Sequence, residues 1–197
     1  MKLYSYVLRD DSGFAPNPFW NYSTLACCKP IIRKRAELGD WIVGSGSMNN
    51  MGNNKLIYAM KVTDKLTFEQ YAKDKRFENK IPSNGLREER GDNIYSKNDK
   101  GEWVQRPSYH SKRHQEHDLK GEYVLISDHF YYFGRNAISI QEELKQIIKK
   151  GPGHKSKSIS KKDIEKFEEW IEKQPQGIQG EPHEFEQKSP KRKKGKC

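Results

Sequence analysis

Cysteine is scarce in this 197-residue chain: Cys27 and Cys28 are adjacent and Cys197 is the third. Three thiols make no disulfide framework, so packing alone must hold the fold, and a reducing compartment, the cytoplasm, is the expected location. Long apolar runs are also missing. Nowhere do about 18 apolar residues follow one another, as a membrane-spanning helix requires, and Met1-Lys2-Leu3-Tyr4-Ser5-Tyr6 lacks the apolar core of a secretory leader. Membrane spanning and secretion are therefore not expected. Apolar residues make up 33% of the chain against 32% charged, which implies a modest core and much solvated loop. There is no internal repeat, and no paired-carboxylate or nucleophile–base motif stands out; no cofactor is expected.

Positive charge is plentiful. The formal net charge is +10, which suits a polyanionic partner: DNA, RNA or an anionic membrane surface. Six of the cations fall in residues 188–196, and a second cluster (Lys29, Arg33, Lys34, Arg35) lies near the N-terminus. A chain of this length suits one domain. The expected division is a domain over residues 1–175 and a polar, basic, mobile tail over 176–197.

The pattern reads as α+β. Residues 3–8 form a first strand, and residues 41–43 and 56–62 an antiparallel hairpin with a long asparagine-rich tip released by Gly44-Ser45-Gly46. Thr67-Phe68-Glu69-Gln70 is a capping box opening a short helix. Residues 74–115 are polar and broken by Gly and Pro, an excursion beside the site. Residues 123–127 and 130–133 form a second strand pair. In the latter Phe130 and Tyr132 face one side and Tyr131 and Phe133 the other. Ser139 should cap a helix carrying Leu144, Ile147 and Ile148, and residues 160–173 form another with Ile164, Phe167 and Ile171 on one face.

Residues 11–46 hold the most informative combination: Phe14, Phe19, Trp20, Tyr22 and Trp41 beside cations and small residues. Aromatic faces stack on bases, glycines let backbone N–H groups approach, and cations hold phosphates. Pro16 and Pro18 fix an extended loop presenting Asn17, Phe19 and Trp20. The expected base-binding set is Asn17, Phe19, Trp20, Trp41, Ser45, Gly46, Phe130 and Tyr132. The expected phosphate contacts are Lys29 and Arg33, with His154 and Lys155 after the turn Gly151-Pro152-Gly153. A barrel-core role for the Phe130–Phe133 rings competes with the ligand role.

Asp92 and Asp128 are the carboxylates assigned to acid–base work, with Glu122 beside them. His110, His114 and His117 recur at i, i+4, i+7, a ligand spacing if helical. That segment has little apolar support, and adjacent Cys27 and Cys28 lack the two-residue gap that lets both thiolates reach one ion. No metal is expected.

Residues 2–7 and the runs Asp11-Ser-Gly-Phe-Ala-Pro-Asn-Pro-Phe-Trp20, Thr24-Leu-Ala-Cys-Cys-Lys-Pro30 and Gly39-Asp-Trp-Ile-Val-Gly-Ser-Gly46 resemble the bacterial and phage family called nucleotide modification associated domain 2. Val124-Leu-Ile-Ser-Asp-His-Phe-Tyr-Tyr-Phe-Gly134 and Gly153-His154-Lys155 extend the likeness, which covers most of residues 1 to 175 and leaves out the tail. The resemblance implies a setting of hypermodified-DNA chemistry or phage conflict. A looser similarity in element order and in Gly39-Asp40 is to EVE and related PUA-like domains, and implies a small curled sheet or barrel flanked by helices that holds a flipped, modified base. The expected function is thus recognition of a modified base in DNA. The alternative is a DNA glycosylase that removes such a base.

Overall fold

The structure, a computed structural model, describes residues 1–47 and 52–187. The basic run at 188–197 and part of the hairpin tip, 48–51, lie outside the described residues.

In chain order the elements are β1 (Leu3–Leu8), β2 (Ser23–Leu25), α1 (Pro30–Arg35), β3 (Trp41–Gly46), β4 (Lys55–Lys61), β5 (Asp64–Thr67), α2 (Phe68–Lys73), β6 (Tyr95–Lys97), β7 (Trp103–Gln105), α3 (Gln115–Leu119), β8 (Tyr123–Ser127), β9 (His129–Tyr132), β10 (Ile138–Ser139), β11 (His154–Lys155), α4 (Lys161–Ile171), β12 (Gly177–Ile178) and α5 (His183–Gln187). Short 3-10 turns join several of them.

The main sheet runs β11-β1-β3-β4-β9-β12, with β10 paired to β4. It is mixed: β1 and β3 are parallel, Leu3 opposite Trp41, whereas β3, β4 and β9 are antiparallel. A second sheet, β2-β8-β5, and the β6–β7 hairpin complete the layers. The sheets remain open, which corrects the barrel alternative. Parallel pairing of β1 with β3 fits the crossover through β2 and α1.

Period-two alternation distributes the core. Leu3, Trp41, Val43, Ala59 and Tyr131 pack on one face of the main sheet against Ile164, Phe167 and Ile171 of α4. Tyr4, Tyr6, Ile42, Tyr58, Phe130 and Tyr132 pack on the other face against Ile32 of α1 and Leu25 and Leu125 of the second sheet. A third cluster joins Phe14, Cys27, Val124 and Ile126 to Phe68 and Tyr71 of α2 and Tyr95 of β6. Both faces of Phe130–Phe133 are therefore buried, the alternation as expected from sequence.

Three local readings change. Gly44-Ser45-Gly46 continues β3 instead of ending it: the Tyr58 ring lies where a side chain on Gly44 would be, 2.3 Å from an ideal Cβ. Ser139 sits in β10, and residues 142–147 form a 3-10 turn whose start has no side-chain cap. Residues 177–187, read from sequence as tail, pair and pack: Gly177 aligns with Tyr131, and buried Phe185 stacks on Phe19 at 6.1 Å. The capping boxes are formed at Thr67–Gln70 and, for α4, at Ser160–Asp163.

Candidate functional site

After β2 the chain turns sharply through Cys28 and Lys29 before Pro30 opens α1. Both residues have positive φ, 59° and 41°, an arrangement costly for side chains with a Cβ and held only where surrounding contacts enforce it. Asp118 on α3 supplies one such contact, its Oδ1 accepting from the Cys28 N–H at 2.7 Å. Arg33 supplies more. Fully buried, its guanidinium donates from Nε to the Cys28 carbonyl (2.7 Å), from Nη1 to the Tyr123 carbonyl (2.8 Å) and from Nη2 to the Asp118 carbonyl. Gly121 leaves room for that fork, since an ideal Cβ there would lie 2.3 Å from it.

His110 follows β7, its carbonyl accepting from Gln105 and Ser108 and its ring packed against Phe14 at 4.6 Å. Nδ1 shares a 2.8 Å hydrogen bond with Asp118 Oδ2, and Nε2 lies 3.6 Å from Cys28 Sγ. Tyr95 also donates to Asp118 Oδ2, at 2.8 Å. Burial opposes the imidazolium, but its hydrogen bonds to Asp118 and Cys28 overcome that and push His110 up to about 9. Burial likewise works against the Asp118 carboxylate, and donors from His110, the Cys28 N–H and Tyr95 hold it below its ordinary range. A cavity of about 230 Å³ opens on Cys28 and His110, with Ser12, Phe14, Lys29 and Tyr109 in its wall. Cys27 is buried, and burial raises its thiol pKa. Ligand atoms of Cys27, His110 and Asp118 lie within 4.8 Å of one another, a donor set suited to zinc.

A second cavity, about 740 Å³, lies between the turn at 145–150 and the segment 154–158. Arg35, Lys145, Lys149, Lys150, His154, Lys155 and Lys157 line it with Gln146, Ile148, Ser156 and Ser158; among the described residues no carboxylate does so. Burial and then the charges of Arg35 and Lys29 lower the His154 pKa. Lys29 thus lies within electrostatic reach of this cleft while lining the Cys28 cavity.

The sequence profile of nucleotide modification associated domain 2 matches residues 1–189. The chain belongs to this family. Membership implies a role in nucleotide or DNA modification systems. No curated protein and no solved structure matches the chain. In this member of the nucleotide modification associated domain 2 family no helix among the described residues is long and apolar enough to cross a membrane.

The rings expected to form one base pocket lie apart. Trp41 is fully buried beneath α4, with Nε1 donating to Glu168 at 3.3 Å; Phe130 and Tyr132 lie on the opposite face, where Tyr132 Oη donates to Asp11 at 2.5 Å. Phe19 packs against Phe185, and only Trp20 is partly exposed. Asn17 is buried, accepting from Lys80 Nζ at 2.6 Å and donating to the Arg90 carbonyl at 2.8 Å. Ser45 and Gly46 are buried in β3. Arg33 is an internal staple, with its donors spent on three carbonyls. Lys29, His154 and Lys155 do line open cavities.

Asp92 is buried with Thr24 and Tyr71 donating to its carboxylate at 2.6 and 2.7 Å, and Asp128 is exposed at the β8–β9 turn. Neither lines the cavities given above for the described residues. Glu122 pairs with Lys34 on the surface. Of the three histidines, His114 stacks near His110 at 4.4 Å, whereas His117 faces a different cavity beside Pro30 and Lys120. Sequence reading missed the joining of Cys28, His110 and Asp118, because 82 residues separate the first two and no local spacing records the contact.

Proposed function

We propose that this chain binds nucleic acid through the cleft between residues 145–150 and 154–158, in a nucleotide-modification setting. One observation carries the reading: the cleft is lined by seven basic side chains and, among the described residues, no acidic one. Concentrated positive charge on a concave surface favours a phosphate backbone over a neutral ligand, and family membership supplies the context. Lys29 extends the positive field to the Cys28 cavity. A modified base presented on this face would meet Phe14, Tyr109 and Lys29 there rather than Phe19 and Trp41.

Fluorescence anisotropy with labelled DNA, ordinary and hypermodified, tests this across a salt series. Affinity should fall steeply with salt, and replacing exposed Lys150 and Lys157 by Gln should reduce the log–log slope by about 2, one per lost phosphate contact. Unchanged affinity and slope would remove the cleft from the binding surface. Equal affinity for ordinary and modified DNA would restrict the reading to backbone binding.

A further inference from the structure

We propose that Cys28, His110 and Asp118 form a nucleophile–base–orienter triad that attacks the carbonyl carbon of an amide or ester on an anionic substrate held beside Lys29. This activity goes beyond binding.

Three independent observations meet at one sulfur. The first is the order Cys28 Sγ, His110 Nε2, His110 Nδ1, Asp118 Oδ2, with separations of 3.6 and 2.8 Å. A base within reach of a thiol, oriented in turn by a buried carboxylate, is the defining geometry of nucleophilic catalysis, and the thiol–base distance commonly tightens when substrate binds. The second is the backbone: Cys28 occupies a positive-φ turn between a strand and a helix, which lifts the side chain out of both elements, as at the nucleophile elbow of strand–turn–helix hydrolases. The third is access. Cys28 is partly exposed and opens on the 230 Å³ cavity, whereas its neighbour Cys27 is sealed in the core.

The contacts around the triad hold it in position. Arg33 ties the Cys28 carbonyl to the carbonyl of Asp118, and the Asp118 carboxylate holds the Cys28 N–H and Tyr95 Oη besides His110. Arg33 is therefore a positioning residue. The Cys28 N–H is spent on Asp118, so the positive charge available to a developing oxyanion comes from Lys29 and Arg9, which line the same cavity; Lys29 lies over the Tyr6 ring at 4.5 Å. With two cations against the one carboxylate of Asp10 in its wall, the cavity favours an anionic substrate.

The chemistry balances with water as the only co-reactant. His110 Nε2 holds the proton of the Cys28–His110 pair, and Sγ bonds as the thiolate to the carbonyl carbon, whose π electrons move to oxygen. Collapse breaks the C–N or C–O bond, and the leaving amine or alcohol takes the proton from His110. Water, deprotonated by the His110 imidazole that has given its proton to the leaving group, then attacks the thioester; the C–S bond breaks and the thiolate is restored beside protonated His110.

The full chain carrying Cys197→Ser, which leaves Cys27 and Cys28 as its thiols, is incubated with p-nitrophenyl acetate and read by intact mass and peptide mapping. One acetyl group should appear on Cys28 and decay by hydrolysis. In His110→Ala, with circular dichroism and thermal melting showing it folded, acylation should slow by about 100-fold. A second readout serves if that variant is unstable: His110→Gln should slow iodoacetamide alkylation of Cys28 at neutral pH, since the base beside the thiol is gone. An unlabelled Cys28, or equal rates with and without His110, would overturn the triad. So would one zinc per chain that shields Cys28 until chelated, which would assign Cys27, His110 and Asp118 to a metal site instead. Ester turnover is read without nucleic acid, and anisotropy without ester, so this proposal and the binding reading fail separately.

Discussion

Two bases, buried Lys80 and partly buried His110, give the protein opposite responses to pH. His110 is raised above its unfolded value of 6.5, to about 9; its stabilising contribution is complete below about pH 6.5 and is lost as pH rises through about 9. Lys80 is lowered by burial to about 7, despite the pull of Asp92, while its Nζ donates to the Tyr22 carbonyl and to Asn17. Between pH 7 and 10.5 the unfolded chain holds a proton there that the folded chain has released, so this contribution rises with pH. The two oppose each other in the native protein and separate in variants. Denaturant midpoints for His110→Gln should climb from pH 7 upward, and those for Lys80→Met should fall between pH 6.5 and 9. The same slope in both variants would remove these groups as the source. Arg33→Met should cost several kcal/mol, on the order of 3–5, because it leaves three carbonyls without their buried donor; chemical denaturation measures it.

At the scale of elements, close approach and capping decide local stability. Gly44→Ala puts a methyl group into the fully buried Tyr58 ring, and overpacking of this kind costs about 1–3 kcal/mol. Ser160→Ala removes the side chain that accepts from the Asp163 N–H at 3.1 Å and should cost about 1 kcal/mol. Both are read from thermal and denaturant midpoints; a neutral Gly44→Ala would mean that β3 and β4 can separate there. The C-terminal elements matter as much. Truncation after residue 175 removes β12 from β9 and Phe185 from Phe19, so the melting temperature should drop, whereas truncation after residue 187 should leave it unchanged. Equal melting temperatures for the two truncations would restore the domain end to 175.

For the whole molecule, the arrangement of charge matters more than its sum. The basic run at 188–196 adds six cations wherever it lies, so deleting 188–197 should lower nucleic-acid affinity and flatten its salt dependence without altering preference among ligands. The cleft at 145–158 gathers its cations by folding: β11 pairs with β1, with Tyr6 opposite His154, and brings Lys155 and Lys157 to the side of the sheet where Arg35 ends α1. Anisotropy on the truncated chain separates the two contributions. Loss of preference on deletion would place recognition in the run itself.

The sequence alone determined what depends on near neighbours. Tyrosine and valine content gave β1, alternation gave β4 and the two faces of β9, a capping box gave the start of α2, an apolar face gave α4, and the runs around Pro16, Pro30 and Gly39-Asp40 carried the family resemblance. Tertiary structure decided what depends on contacts between distant residues. Whether an aromatic ring meets solvent or another layer is set by the elements packed over it, and so Trp41 lies under α4 and Phe19 under α5. Cys28 and Asp118 are 90 residues apart, and their meeting follows from the Arg33 fork that joins α1 to α3. No short-range pattern encodes that juxtaposition, because its energy comes from hydrogen bonds closed only when the layers assemble.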